Sequence, residues 1–127
     1  MIAIDTSALV AIALAEPQSN ACAVALRDEE QILISAGTIA EALIVSAGRN
    51  FSSAMAELIE ELDCEVVSVT AATARQIGEI YRRWGKGFHP AGLNFGDCFA
   101  YAVAKERSCR LLYVGDDFAK TDIESVL

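Results

Sequence analysis

Five carboxylates in this chain stand where they could do chemistry: Asp5, Glu41, Asp97, Asp116 and Asp117. Asp5 closes the apolar run Ile2-Ala3-Ile4 and opens the triplet Asp-Thr-Ser. Asp97 lies in the first turn of an expected helix, FGDCFAYAVA, that is apolar nearly all round. A carboxylate on such a helix is costly unless it is paired or bound to a cation. Each acid also has a plain structural reading. Asp5 can end a strand or cap a helix, and Asp97 can pair with a helix dipole. Glu41, in Thr38-Ile-Ala-Glu41, fits a capping box. Asp116-Asp117, in Val-Gly-Asp-Asp-Phe, can form the turn after a strand. What the five share is position, since all fall at strand ends or early helix turns. Carboxylates gathered at one place repel each other and call for a divalent cation. Ligands that are oxygen only suit Mg2+ or Mn2+ rather than zinc. Such an ion activates water and stabilises charge on a phosphate.

The elements that must gather these acids alternate along the chain. Ile2–Ile4, Gln31–Ser35, Cys64–Val69 and Arg110–Val114 read as strands. Thr6-Ser7 offers a cap for a helix over Ala8–Ala15, which Pro17 stops, and Ser19 offers a cap for a second helix to Asp28. Thr38–Gly48, Ser52–Leu62, Thr70–Trp84 and Phe95–Arg107 complete the helices, and Gly85–Asn94 reads as a loop. Apolar strands alternating with helices define an α/β fold whose parallel sheet is covered on both faces. Sites in such sheets form at the carboxyl ends of the strands, the edge to which Asp5 and Asp116/Asp117 belong.

Composition narrows the alternatives. The 127 residues make one domain's worth of chain. They are 54% hydrophobic, which argues against disorder. The longest apolar run, Ala8–Ala15, is too short to span a bilayer. Asp5 stands where a signal peptide would be basic, so a cytoplasmic protein is expected. Cys22, Cys64, Cys98 and Cys109 form no CxxC pair and read as buried free thiols. No Walker loop, GxGxxG or GxSxG occurs, and His89 is the only histidine.

Net charge is −8, which makes the chain as a whole a poor generic binder of nucleic acid. The distribution is uneven. Residues 16–65 hold ten acids and two arginines, whereas residues 75–89 hold Arg75, Arg82, Arg83 and Lys86 against Glu79 alone. Lys86 and His89 are candidate RNA contacts, and Trp84 and Phe88 could stack on unpaired bases. Ile77, Ile80, Tyr81 and Trp84 also share one helical stripe, which places Tyr81 and Trp84 in the core.

The blocks Asp5-Thr-Ser-Ala-Leu-Val, Glu41 on the third helix, and Gly96-Asp97-Cys-Phe-Ala-Tyr together resemble the PIN-domain pattern. The run Gly85–Ile123 is most similar to the VapC toxins of bacterial toxin–antitoxin pairs. The resemblance implies a single PIN domain over residues 1–127. Its fold would be three-layer α/β/α with a central, mainly parallel sheet of four to five strands. It also implies a Mg2+-dependent endoribonuclease, with Mn2+ able to substitute, that cleaves cellular RNA, tRNA or rRNA, to stop translation. Asp5 and Asp97 match the principal metal ligands, Glu41 the third acid, and Thr6 a hydroxyl near the site. Asp116 is taken as the fourth acid, with Asp117 as the accessory alternative. A VapB-type antitoxin and a second copy of the chain are the implied partners, with no membrane. Two other readings compete with the nuclease. One is a receiver-like domain that binds Mg2+ and accepts a phosphoryl group, although no central strand here ends in an acceptor Asp. The other is a catalytically inactive PIN scaffold that acts by binding.

Overall fold

The computed structural model describes residues 1–127. Four parallel strands form one sheet: β1 (Ile2–Ile4), β2 (Ile32–Ser35), β3 (Glu65–Val67) and β4 (Arg110–Leu112), in the order β3-β2-β1-β4. The register pairs Ile2 with Ile32 and Arg110, and Leu33 with Glu65. Six helices accompany them: α1 (Thr6–Ala13), α2 (Ser19–Arg27), α3 (Ala36–Gly48), α4 (Ser52–Leu62), α5 (Ala71–Trp84) and α6 (Phe95–Glu106).

The period-two alternation of strand side chains divides the core. Ile2, Ile4, Ile34 and Leu112 face α1, α2, α3 and α4 on one side. Ala3, Leu33 and Leu111 face α5 and α6 on the other. A sheet apolar on both faces must be covered twice, which gives the expected three layers. β3 is the exception. It lies at the sheet edge with Val66 exposed, and it is shorter than the expected Cys64–Val69. The strand expected over Arg110–Val114 likewise stops at Leu112. No helix is long and apolar enough to cross a membrane.

The strand order excludes the receiver alternative. In the flavodoxin-like sheet of receivers, the third strand neighbours the first. Here β1 lies between β2 and β4, and β3 is at the edge.

Several helix starts differ from expectation. Asp5, not Thr6-Ser7, caps α1 by accepting the Ser7 amide. Gln18 precedes α2 without a side-chain cap bond, so Ser19 is its first helical residue. Ser35 caps α3 by accepting the Gly37 amide, one turn before Thr38. Glu41 therefore sits in the second turn and closes no capping box. Gly48 is the last residue of α3, and the left-handed residue that follows is Asn50, at φ 62°.

Candidate active site

β1 and β4 are neighbours, so Asp5 and the loop 113–117 emerge side by side at the carboxyl edge of the sheet. The Asp5 amide donates to the Leu112 carbonyl at 3.0 Å. The Asp5 side chain is only 3% exposed. Its Oδ2 accepts from the Ser7 amide at 3.1 Å and from Ser7 Oγ at 2.7 Å. Its Oδ1 is buried with no hydrogen-bond partner. Burial pushes the Asp5 carboxyl up to about 6, the two Ser7 bonds pull it back, and the charge of Glu41 adds to the rise.

Asp97 reaches the same place from α6. It is 5% exposed and closes a capping box with Asn94. The Asp97 amide donates to Asn94 Oδ1 at 2.8 Å, and the Asn94 amide donates to Asp97 Oδ2 at 3.0 Å. Asp97 thus does more than meet a helix dipole, because it closes the first turn of α6 through its side chain. Burial pushes its carboxyl up to about 7. The Asn94 amide lowers it, while the charges of Asp5, Asp117 and Glu41 raise it.

Glu41 arrives from α3, half-buried. Thr6 Oγ1 donates to Glu41 Oε1 at 2.5 Å, which ties the first turn of α1 to α3. The carboxylate lies against Gly96, in the space a side chain there would occupy. A Cβ at position 96 would collide with Glu41 Oε2, so only glycine fits there without displacing the acid. In the sequence Gly96 appears only as the first residue of the Gly96-Asp97-Cys-Phe-Ala-Tyr block, with no role of its own. Its signal was a glycine placed directly before the acid in the first turn of α6.

Asp116 and Asp117 are both exposed in the loop after β4. Asp117 belongs to the set of charges that acts on Asp97. The Asp116 carbonyl accepts the Ala119 amide in a turn. Lys86 is exposed. His89 turns inward, where its Nδ1 accepts the Ala91 amide at 3.0 Å and its ring meets the Trp84 ring edge-on at 4.7 Å. Trp84 and Tyr81 pack against the core as their helical spacing requires. Trp84 Nε1 also donates to Tyr101 Oη, which donates to Asp122. All four cysteines are free. Burial raises the Cys64 and Cys98 thiols to about 11, which makes them poor nucleophiles.

No three acidic, histidine or cysteine side chains form a ready-made metal cage. That is compatible with Mg2+, which keeps several waters and takes one or two protein carboxylates. The unpartnered Oδ1 of Asp5 is an acceptor of the kind such an ion requires. A buried polar atom with no partner is otherwise costly.

Comparison with known proteins places the chain in a family. The family model described as PIN domain matches residues 2–124. Ribonuclease VapC36 of Mycobacterium tuberculosis is 42% identical over 95% of this chain and 90% of its own length. Ribonuclease VapC of Mycolicibacterium smegmatis is 40% identical over 97% of this chain and 98% of its own. Among solved structures, VapC20 of Mycobacterium tuberculosis, a toxin that cleaves the sarcin–ricin loop, superposes with a TM-score of 0.82. It shares 18% identity and covers 99% of this chain and 98% of its own. VapBC2 of Rickettsia felis, bound to a DNA fragment from its promoter, gives 0.70 at 15% identity, covering 98% of this chain and 96% of its own. The chain belongs to the PIN-domain family, in its VapC ribonuclease branch.

Proposed function

We propose that this chain is one PIN domain that hydrolyses phosphodiester bonds in cellular RNA with the help of a divalent cation, as a toxin held in check by an antitoxin. The observation that carries the chemistry is the meeting of two almost fully buried carboxyls, Asp5 and Asp97, with one oxygen of Asp5 unpaired. Repulsion and desolvation both favour a bound cation over two bare charges. Asp5 and Asp97 would hold Mg2+, with Mn2+ able to substitute. When bound, the ion supplies Lewis-acid chemistry, activating water and offsetting charge on the scissile phosphate.

The remaining roles fall to residues of this chain. Glu41, held by Thr6 and seated on Gly96, orients water or takes part in recruiting a second ion. Asp116 and Asp117 are the two candidates for the fourth acid, and the charge of Asp117 is among those that raise the Asp97 carboxyl. Lys86 is exposed and remains the candidate for phosphate contact, while His89 acts through the loop it closes.

Other parts of the reading rest on relatives and on surface chemistry. Solved relatives include a toxin–antitoxin complex from Klebsiella pneumoniae as well as the VapBC2 assembly, which supports a VapB-type partner. The sarcin–ricin-loop activity of VapC20 favours a structured RNA, tRNA or rRNA, as the target class. Ile44 (73% exposed) and Phe95 (68% exposed) line an apolar groove of about 400 Å³ between α3 and α6. An exposed apolar patch of this kind marks an interaction surface, and a second copy of the chain is its proposed occupant. The working place is the cytoplasm, where the RNA is.

The deciding experiment compares wild type with Asp97→Asn after induction in cells, sequencing the RNA ends that appear. New, discrete ends with wild type alone are expected. Identical ends from both would overturn the assignment. In vitro, EDTA should abolish cleavage and Mg2+ or Mn2+ restore it, and an inert purified chain would favour the binding-only scaffold.

A further inference from the structure

Ser7 stands outside the set of acids, yet it touches two parts of the site at once. Its hydroxyl donates to Asp5 Oδ2 at 2.7 Å and accepts from the Val114 amide at 3.0 Å. A serine hydroxyl has one hydrogen and two lone pairs, so one group can make both bonds together. The result is a chain, Val114 N–H to Ser7 Oγ–H to Asp5 Oδ2, whose members polarise one another. It links residues 107 apart in sequence. Val114 is the last residue before Gly115-Asp116-Asp117, and Gly115 turns the chain at φ 95°. With Oδ2 held by two donors from Ser7, Asp5 presents Oδ1 as its one unclaimed oxygen.

We propose that Ser7 is a positioning residue, whose hydroxyl selects the oxygen of Asp5 left for the cation and fixes the acidic loop 115–117 against β1. The proposal deepens the metal-dependent nuclease reading and rests on it for its metal half. Thr6 next door has a different partner, Glu41, so the two hydroxyls of the Asp-Thr-Ser triplet each serve a different acid. Alanine at position 7 would keep the backbone cap on Asp5 Oδ2 and remove both hydroxyl bonds. Threonine would keep them. Cysteine would keep the volume and offer only a weak sulfur donor and acceptor.

The test uses the full chain as Ser7→Ala, Ser7→Cys and Ser7→Thr beside wild type, with two readouts that need no catalysis. Hydrogen exchange of the Val114 amide, followed by NMR in EDTA, should speed up by about tenfold in Ser7→Ala and return to the wild-type rate in Ser7→Thr. Mn2+ affinity, measured by calorimetry, should fall by about tenfold in Ser7→Ala and recover in Ser7→Thr. Ser7→Cys should lie between the two and carries the test if the alanine variant fails to fold. A variant lacking the hydroxyl that exchanges Val114 and binds Mn2+ as wild type does would overturn the role of Ser7. A wild-type chain that takes up no Mn2+ would overturn the metal reading and the metal half of this proposal. The exchange data alone would then decide the link to the loop.

Discussion

Asp97 holds the Asn94 amide with Oδ2 while its charge meets those of Asp5, Asp117 and Glu41. Replacement by asparagine keeps an acceptor for that amide and removes the charge. Replacement by alanine removes both and should cost about 1 kcal/mol more in stability, the usual worth of a lost helix cap. Asp97→Asn and Asp5→Asn should each lower cleavage by about a hundredfold or more. Thermal melts in EDTA should show both variants at least as stable as wild type. A metal-free melt far below wild type would mean that these carboxylates hold the fold as anions. Gly96 gives a separate prediction. Gly96→Ala would push aside the Glu41 carboxylate, the far end of a flexible side chain. Activity should therefore fall well before stability does, a split that paired nuclease and denaturation measurements would show.

Local pattern located the helices but misplaced the starts of three of them, α1, α2 and α3. Thr38-Ile-Ala-Glu41 has the letters of a capping box, yet Ser35 comes first and caps α3 a turn earlier. Asn94-Phe-Gly-Asp97 uses the weaker pair, Asn with Asp, and forms a box in fact. A four-residue window cannot tell which of two eligible residues the chain will use, because the entry angle is set by the strand before it. The Ser7–Val114 bond was beyond reach for another reason, since no local period reports a contact between the first turn of α1 and the loop after β4, which the sheet sets side by side. The strands themselves were legible because they are short, apolar and largely β-branched or Leu, with β3 overextended because its edge position exposes Val66. Asn94→Ala tests the α6 cap. It should destabilise by about 1 kcal/mol in urea unfolding. It should also weaken Mg2+-dependent cleavage, because Asp97 loses the turn that aims it.

The two raised carboxyls leave a mark on the stability of the molecule as a whole. In the unfolded chain an Asp ionises near its ordinary value of 3.8, whereas the folded chain holds its protons at Asp5 to about 6 and at Asp97 to about 7. Between those limits the folded state binds more protons than the unfolded one, so metal-free stability must fall as pH rises. Unfolding in EDTA should be harder at pH 5 than at pH 8, by on the order of a few kcal/mol. Asp122, which Tyr101 and Lys105 hold below the ordinary range, works in the opposite direction but only at lower pH. Saturating Mg2+ should flatten the slope by stabilising the ionised pair. A metal-free stability that rises from pH 5 to 8 would contradict the burial seen at both acids. The apolar strip at Ile44 and Phe95 belongs to this scale as well. Ile44→Asp should shift the sedimentation of the chain toward monomer if a second copy covers it.

Burial, by raising the Asp5 and Asp97 carboxyls to about 6 and about 7, also makes the site an exchanger. Near pH 6 an arriving cation must displace hydrogen ions that the carboxyls still carry, so uptake of metal is release of acid. The heat of titration would then depend on the buffer that absorbs those ions. Matched runs in two buffers of different ionisation enthalpy would count them directly, and the count should shrink toward zero as the solution becomes alkaline.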